Sequence, residues 1–222
     1  MANGTLRRST LSEYAQAAHE GVDIITRSLQ TAAELVQSFK QVAVDRATEQ
    51  RRPFELLHTT HDIVATLHRS IHKAGHRLDI EIPPSITIDG YPGPYGQVLT
   101  NFVNNALLHA FENRRGGVMR LTARPLSGSL IEIVFSDDGV GIAEENLKRI
   151  FDPFFTTKMG QGGSGLGMSI SYNIVTSLFG GELSVASTHG QGTRFTLRIP
   201  LVAPQPSAEE PQYHQFRPHK AS

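Results

Sequence analysis

The sequence predicts an α+β fold, a two-layer sandwich in which helices cover one face of a mixed sheet, preceded by a long helix of heptad pattern. Three observations predict it. Helical and strand periodicities interleave through residues 51–201. Two strand pairs there, 118–124 with 129–135 and 182–187 with 193–199, are joined by turns too short for a parallel crossover, so each pair is antiparallel and a doubly wound sheet is excluded. Residues 9–48 place apolar side chains at alternating steps of four and three, which demands a second helix to cover them.

The chain has 222 residues, enough for one domain with extras or for two small ones. Its 39% hydrophobic content supports an ordinary core, and 21 basic residues cancel 21 acidic ones. No long-range field therefore points to nucleic acid or an anionic membrane surface. The absence of cysteine excludes disulfides and cysteine-ligated zinc. No apolar run approaches the roughly 18 residues of a membrane span, and the first nine residues lack a signal-peptide core. The expectation is a soluble, cytoplasmic piece whose longer parent protein is free to carry a membrane anchor.

Taken in order, the helix over 9–48 has its seam at Leu11, Ala15, Ala18, Val22, Ile25, Leu29, Ala32, Val36, Phe39 and Ala43. Thr10 with Glu13 forms a capping-box pattern, and Gly21 costs about 1 kcal/mol relative to Ala without breaking the pattern. This seam fits either a helix packed on its own domain or a bundle helix whose mate lies in another chain or another copy. Residues 53–57 read as a strand entering a helix that ends near Gly75. Strands follow at 77–82 and 85–89, around Pro83-Pro84. Residues 95–109 form a helix with Val98, Leu99, Phe102, Val103, Ala106 and Leu107 at helical spacing. The first hairpin turns at 126–128. A glycine-rich stretch leads into a helix over 166–179, and the last hairpin turns at Gly190-Gln191-Gly192. From Val202 to Ser222, Pro, Gln, Ser and His without periodicity predict a disordered tail.

Three segments carry chemistry. Asn101 and Asn105 lie four apart on one helix face, so both amides can meet one ligand. An amide oxygen is a hard neutral donor suited to Mg²⁺, which keeps most of its waters and binds substrate phosphates. Second, the strand ending in Asp137-Asp138-Gly139-Val140-Gly141-Ile142 delivers an acid to a sharp turn. Such an acid can accept from an exocyclic amine such as adenine N6, with flanking glycines giving a flat ring access to the backbone. Third, Phe151-Asp152-Pro153-Phe154-Phe155-Thr156-Thr157-Lys158 precedes five glycines in eight positions, 160–167, which cannot be helix or strand interior. They read as a mobile loop feeding a helix whose first amides suit a triphosphate, with Lys158, Thr157 and Ser164 adding donors. No P-loop is present, and the G-x-G-x-x-G at Gly160, Gly162 and Gly165 follows no buried strand, unlike a dinucleotide fingerprint.

In this order and combination the segments resemble the histidine-kinase ATPase domain of the GHKL superfamily, which also includes gyrase B, Hsp90 and MutL, over about residues 53–200. Asn101-Phe102-Val103-Asn104-Asn105-Ala106 resembles its N box and Asp137-Asp138-Gly139-Val140-Gly141 its G1 box. Residues 151–158 resemble the F box, Gly163-Ser164-Gly165-Leu166-Gly167 the G2 box, and Gly190-Gln191-Gly192-Thr193 the last glycine motif. The resemblance implies the Bergerat ATP-binding fold, with ATP and Mg²⁺ held between the N-box helix and the G2 loop. It implies Asn105 on the metal, Asn101 supporting the phosphates, and Asp137 on adenine N6 with Thr193 close by. Gly139, Gly141 and Ile142 would line the base, and His109 would contact nucleotide.

The hydrolytic relatives and the serine-kinase anti-sigma factors carry a glutamate one turn before the metal-binding asparagine. Here that position is Asn101, which takes up no proton. That fits transfer to a histidine, whose neutral imidazole is already a nucleophile, and predicts negligible intrinsic ATP hydrolysis.

Two features depart from the family. The H box that carries an acceptor histidine is missing: His19-Glu20 shares only its first two residues, and His19 sits beside the seam residue Ala18. The expectation is that the acceptor helix lies outside this chain and that residues 1–50 are the second helix of a dimerisation hairpin. Leu108 stands where many relatives have a lysine reaching toward phosphate; Lys158 is the candidate replacement. His68 and His72, four apart with His58, His61 and His76 nearby, have zinc-like spacing, but no acid or cysteine converges on them, so a solvated face is expected. The function implied is the catalytic part of a two-component sensor histidine kinase: 1–50 partial hairpin, 51–201 ATP-binding domain, 202–222 tail. Its partners would be an acceptor-histidine hairpin, a response regulator receiver domain, a second copy through the long helix, and no nucleic acid. The competing reading is a nucleotide-binding adaptor that docks on a partner kinase through its long helix.

Overall fold

The computed structural model describes Tyr14, residues 16–22, 25–26, 51–112, 114–158 and 163–205. The described residues among 14–26 are helical, with Val22 and Ile25 of the expected seam 61% and 60% exposed within this chain. Ala18 of that seam is exposed as well; its other positions, and residues 206–222 of the expected tail, lie outside the described residues. No helix among them is long and apolar enough to cross a membrane.

From residue 51 the elements are β1 (Arg52–Glu55), α1 (Leu56–Lys73), β2 (Arg77–Glu81), β3 (Thr87–Gly90) and α2 (Pro92–Asn105). Then come β4 (Val118–Leu126), β5 (Leu130–Asp137), the short α3 (Glu144–Leu147), α4 (Gly167–Asn173), β6 (Glu182–Ser187) and β7 (Thr193–Pro200). The main sheet runs β2-β4-β5-β7-β6. Both expected hairpins are antiparallel, β2 lies parallel to β4, and the sheet is therefore mixed. The first turn falls one residue late, at residues 127–129, with Gly128 and Ser129 both at positive φ.

α2 opens with Pro92 at its first turn, where a missing N–H costs nothing. Its buried stripe of Tyr95, Val98, Leu99, Phe102 and Val103 lies over the inward face of the sheet. Phe102 stacks on Phe195 of β7 with ring centroids 4.6 Å apart and meets Phe135 of β5 at 5.6 Å. Burying three phenyl groups in one contact fixes the helix against the two strands that end at the site. The expected helix over 95–109 thus begins three residues earlier, and its last turn, Ala106–Ala110, widens to a π-helical turn. Such a turn is common at functional sites. It keeps Ala106 and Ala110 buried while Leu108 and His109 stay part-exposed. The expected helix over 166–179 ends in the same way, at Ile174–Leu178.

Residues 85–89 do not join the main sheet. β3 pairs with β1 in a separate antiparallel ribbon. The expected tail boundary at 202 also falls too early, because Val202 bridges Asp89 and Ala203 is buried. The Asp89 N–H donates to the Leu201 carbonyl and the Ala203 N–H to the Asp89 carbonyl, both at 2.8 Å. Arg51 grips the Asp89 carboxylate with two hydrogen bonds of 3.0 and 2.7 Å. Two short backbone bonds and one small apolar side chain leave no periodic signal in a sequence.

Candidate functional site

Asp137 ends β5, the central strand, opposite Thr193 at the start of β7. Its Oδ1 accepts from the Gly139 N–H at 2.9 Å and the Thr193 N–H at 3.3 Å. Its Oδ2 has no hydrogen-bond partner among the described residues. Burial raises its pKa above the ordinary carboxylate value, the two amide donors oppose this, and the neighbouring Asp138 adds to the rise. Asp138 itself faces Arg114, at 2.8 Å, and the Val118 N–H, also at 2.8 Å. The adjacent acids thus divide: one is held by a guanidinium, and the other keeps an oxygen free.

That oxygen's residue lines a small cavity of about 30 Å³ together with Asn105, His109, Gly141, Ile142 and Thr193. Asn105, His109, Gly141 and Ile142 also line a cavity of about 420 Å³, so the two cavities adjoin and share a wall. The large cavity is walled by the end of α2, the 140–143 segment, the 155–158 segment and residues 163–168. Of the residues expected from the sequence to meet nucleotide, Asn101, Asn105, His109, Gly141, Ile142, Lys158, Gly163, Ser164, Gly165 and Gly167 line the large cavity, Asp137 and Thr193 line the small one, and Gly139 and Leu166 line neither. A shallower cleft of about 500 Å³ lies on the opposite face of the sheet, among Arg77, Arg120, Ser136 and Arg194. It shares Asp137 and Thr193 but has none of the asparagines or the 163–167 glycines.

The glycines earn their places mainly through packing. A Cβ at Gly139 would lie 2.4 Å from Ala110, and one at Gly141 2.2 Å from the Thr188 carbonyl oxygen. The expected role, giving a flat ring access to the backbone, is therefore not what the Cβ positions serve; protein fills them. Gly163 and Gly165 likewise let two segments cross, with Cβ positions 2.6 Å from Thr156 Oγ1 and 2.5 Å from the Phe154 backbone. Phe154 and Gly165 both have positive φ at this crossing, and the Phe154 ring is half exposed. Gly160 and Gly162 lie outside the described residues.

Asn101 differs from its expected role as well. Its amide nitrogen donates to the Gly167 carbonyl at 2.9 Å and to Ser171 Oγ at 3.0 Å, so it ties α2 to α4. With both amide hydrogens committed, it offers no donor to a phosphate. Asn105, one turn later, is half-buried, lines both cavities and has no side-chain hydrogen bond among the described residues. Leu166 is buried, Gly167 begins α4, and Ser164 Oγ accepts the Leu166 N–H at 3.4 Å. Lys158 enters the cavity wall, its Nζ donating to the Leu108 carbonyl at 2.9 Å and to Glu112 Oε1 at 3.1 Å. His109 Nδ1 lies 3.4 Å from Thr157 Oγ1. Burial first, and the Lys158 charge second, hold its pKa below the ordinary value, with Glu112 opposing.

The family model described as histidine kinase-, DNA gyrase B-, and HSP90-like ATPase matches residues 90–203. The chain belongs to this ATPase family. It is similar to sporulation kinase E of Bacillus subtilis (strain 168), at 30% identity over 81% of this chain and 23% of the relative. It is also similar to the sensor histidine kinase ZraS of Escherichia coli O157:H7, at 42% identity over 53% of this chain and 24% of the relative. Among solved structures, the catalytic domain of histidine kinase ThkA aligns over 69% of this chain and 97% of its own, with a TM-score of 0.61 and 26% identity. The chain spans about a quarter of the length of the two relatives. The chain thus carries a histidine-kinase-type ATP-binding domain of the α+β class expected, with a mixed sheet.

Two residues that support or line this site carry no signal in the sequence. Ser187 Oγ accepts the Ile142 N–H at 2.8 Å, donates to the Gly192 carbonyl at 2.7 Å and lies 3.1 Å from Thr193 Oγ1. One hydroxyl thereby holds the loop after β5 against the start of β7, and serine in an alternating strand announces nothing of the kind. Glu112 is the other, visible only once Lys158 is placed. His68 and His72 stack with centroids 6.0 Å apart on the exposed face of α1. Among the described residues no cluster of three or more His, Asp or Glu side chains could hold a metal.

Proposed function

We propose that this chain is the ATP-binding catalytic part of a two-component sensor histidine kinase, transferring the γ-phosphate of ATP to a histidine outside this chain for relay to a response regulator receiver domain. The observation that carries it is the unpartnered Oδ2 of Asp137, a half-buried acceptor whose residue lines a small cavity adjoining the larger one that collects the N-box, F-box and G2 residues. Adenine N6 supplies the donor that this oxygen lacks, with Thr193, Gly139, Gly141 and Ile142 around the base. The phosphates then extend toward Lys158 and the 163–167 segment, past His109.

Mg²⁺ fits the donor set. Asn105 offers one uncommitted neutral amide oxygen, and the one carboxylate lining the same cavity, Glu112, is paired with Lys158, as suits an ion held mainly by phosphates and water. When bound, it would neutralise phosphate charge. The chain's own residues orient the nucleotide and exclude water at its base end. No side chain at position 101 takes a proton, so the acceptor supplies its own nucleophile. An imidazole nitrogen forms the P–N bond, the bond from the γ-phosphorus to the β-bridging oxygen breaks, ADP leaves, and the imidazole N–H proton passes to solvent. A second copy of the chain is the expected cover for the exposed Val22 and Ile25.

The test is to combine the chain, γ-labelled ATP and a protein carrying an acceptor-histidine hairpin, after calorimetry with and without Mg²⁺. Acid-labile label on the hairpin supports the reading. ATP binding without transfer removes the kinase assignment, and steady hydrolysis at enzyme-like rates overturns the argument from Asn101.

A further inference from the structure

We infer that Glu112 is a positioning residue that holds Lys158 away from the nucleotide phosphates, making this site's preference for ATP over nucleotides with fewer phosphates depend on a Lys158 exchange. The inference rests on the ATP-site reading above and adds a residue to it.

The Lys158 ammonium is placed by two acceptors, the Leu108 carbonyl at 2.9 Å in the last turn of the N-box helix and Glu112 Oε1 at 3.1 Å in the turn just beyond it. The carbonyl belongs to the last helical turn, where main-chain oxygens lack intrahelical donors and carry the negative end of the dipole. Lys158 therefore projects its charge onto the part of the helix that bears Leu108. Its side chain is only 17% exposed, whereas that of Glu112 is 57% exposed. The cation is the confined partner, and the anion is the one that can be displaced. Both side chains line the 420 Å³ cavity that also holds Asn105 and the 163–167 glycines.

A polyphosphate entering this cavity meets an ammonium already paired. Nζ has three donor positions, two of them in use. Giving phosphate more than the one remaining donor requires release from Glu112, and the Glu112 carboxylate left behind then repels the same phosphates. Both effects oppose binding, and both scale with phosphate charge. They separate in a double variant: the repulsion persists without Lys158, and the exchange does not.

The experiment measures ATP, ADP and AMP binding by calorimetry to the wild-type chain, Glu112→Gln, Lys158→Met and the double variant. Thermal melts check that each is folded, and Glu112→Ala serves as a second version of the first change. Glu112→Gln should tighten ATP by roughly 3- to 10-fold, ADP less, and leave AMP within error. Lys158→Met should weaken ATP about tenfold or more, and in its background Glu112→Gln should have less than half its effect on a logarithmic scale. An unchanged ATP affinity in both Glu112 variants, or a gain that persists in full without Lys158, overturns this inference while leaving the ATP-site reading intact. Failure of the wild-type chain to bind ATP overturns both.

Discussion

Replacing Asp137 with asparagine puts the base-recognition argument at risk in one step. In the wild-type site Oδ1 is taken by the Gly139 and Thr193 amides, leaving Oδ2 as the one carboxylate oxygen for the adenine amine. In Asp137→Asn the amide oxygen keeps the two backbone donors, and the NH₂ group replaces Oδ2. A donor then faces the N6 donor. A hydrogen bond to a charged acceptor contributes about 1.5–3 kcal/mol, so its loss weakens ATP by roughly 10- to 150-fold, and donor opposition pushes toward the upper end. Stability should move the other way. The Asp137 pKa is raised chiefly by burial, so the folded chain holds its proton more tightly than the unfolded chain. That contribution favours the fold at low pH and is lost as pH rises through the raised pKa, which makes the neutral amide no worse than the carboxylate near neutrality. The assay pairs calorimetry with a melting curve at pH 7.5. An asparagine variant that melts at or above the wild-type temperature yet binds ATP within threefold of it would refute the reasoning.

Three further expectations follow from the same geometry. Asn105→Ala should bind Mg²⁺-free ATP about as well as wild type and lose the added affinity that Mg²⁺ brings, read by calorimetry in EDTA and in Mg²⁺. Asn101→Ala breaks two hydrogen bonds between α2 and α4, so it should cost roughly 1–2 kcal/mol, about 3–6 °C in Tm, and weaken AMP and ATP by similar factors; an effect confined to ATP would restore the phosphate role. His76 is held below its ordinary value of 6.5 chiefly by burial and secondly by Arg114, while its Nδ1 accepts the Gly117 N–H at 3.1 Å. Its stability contribution is whole above about pH 6.5 and is lost as pH falls through the lower folded value, so His76→Phe should reduce the drop in Tm between pH 7 and pH 5.

Much of this site was legible because its chemistry needs unusual residues in unusual places. Two asparagines inside a helix, an acid at the end of an apolar strand and a glycine run before a helix all contradict local propensity, and a sequence tolerates such conflicts at functional positions. What stayed hidden depends on partners distant along the chain. Nothing near Asn101 reveals that its amide is committed to Gly167 and Ser171, some seventy residues on. The glycines pointed to the right loops for an incomplete reason: Gly139, Gly141 and Gly165 are small because backbone crosses them, a fact of tertiary packing. The ribbon of β1 and β3 escaped notice because Pro83-Pro84 marks a break without saying which sheet the next strand joins. The third rung at Val202 and Ala203 comes from a stretch whose composition is otherwise that of a tail.

Asp89 has a mechanical consequence. The incoming chain is fastened to its carboxylate by Arg51, and the outgoing chain to its backbone at Leu201 and Ala203. Both leads of the ATP-binding domain thus leave from a single anchor, one strand ahead of the N-box helix. A domain whose two ends meet at one residue tolerates being re-cut, its old ends bridged by a short linker and new ones opened at an exposed turn such as that around Gly128.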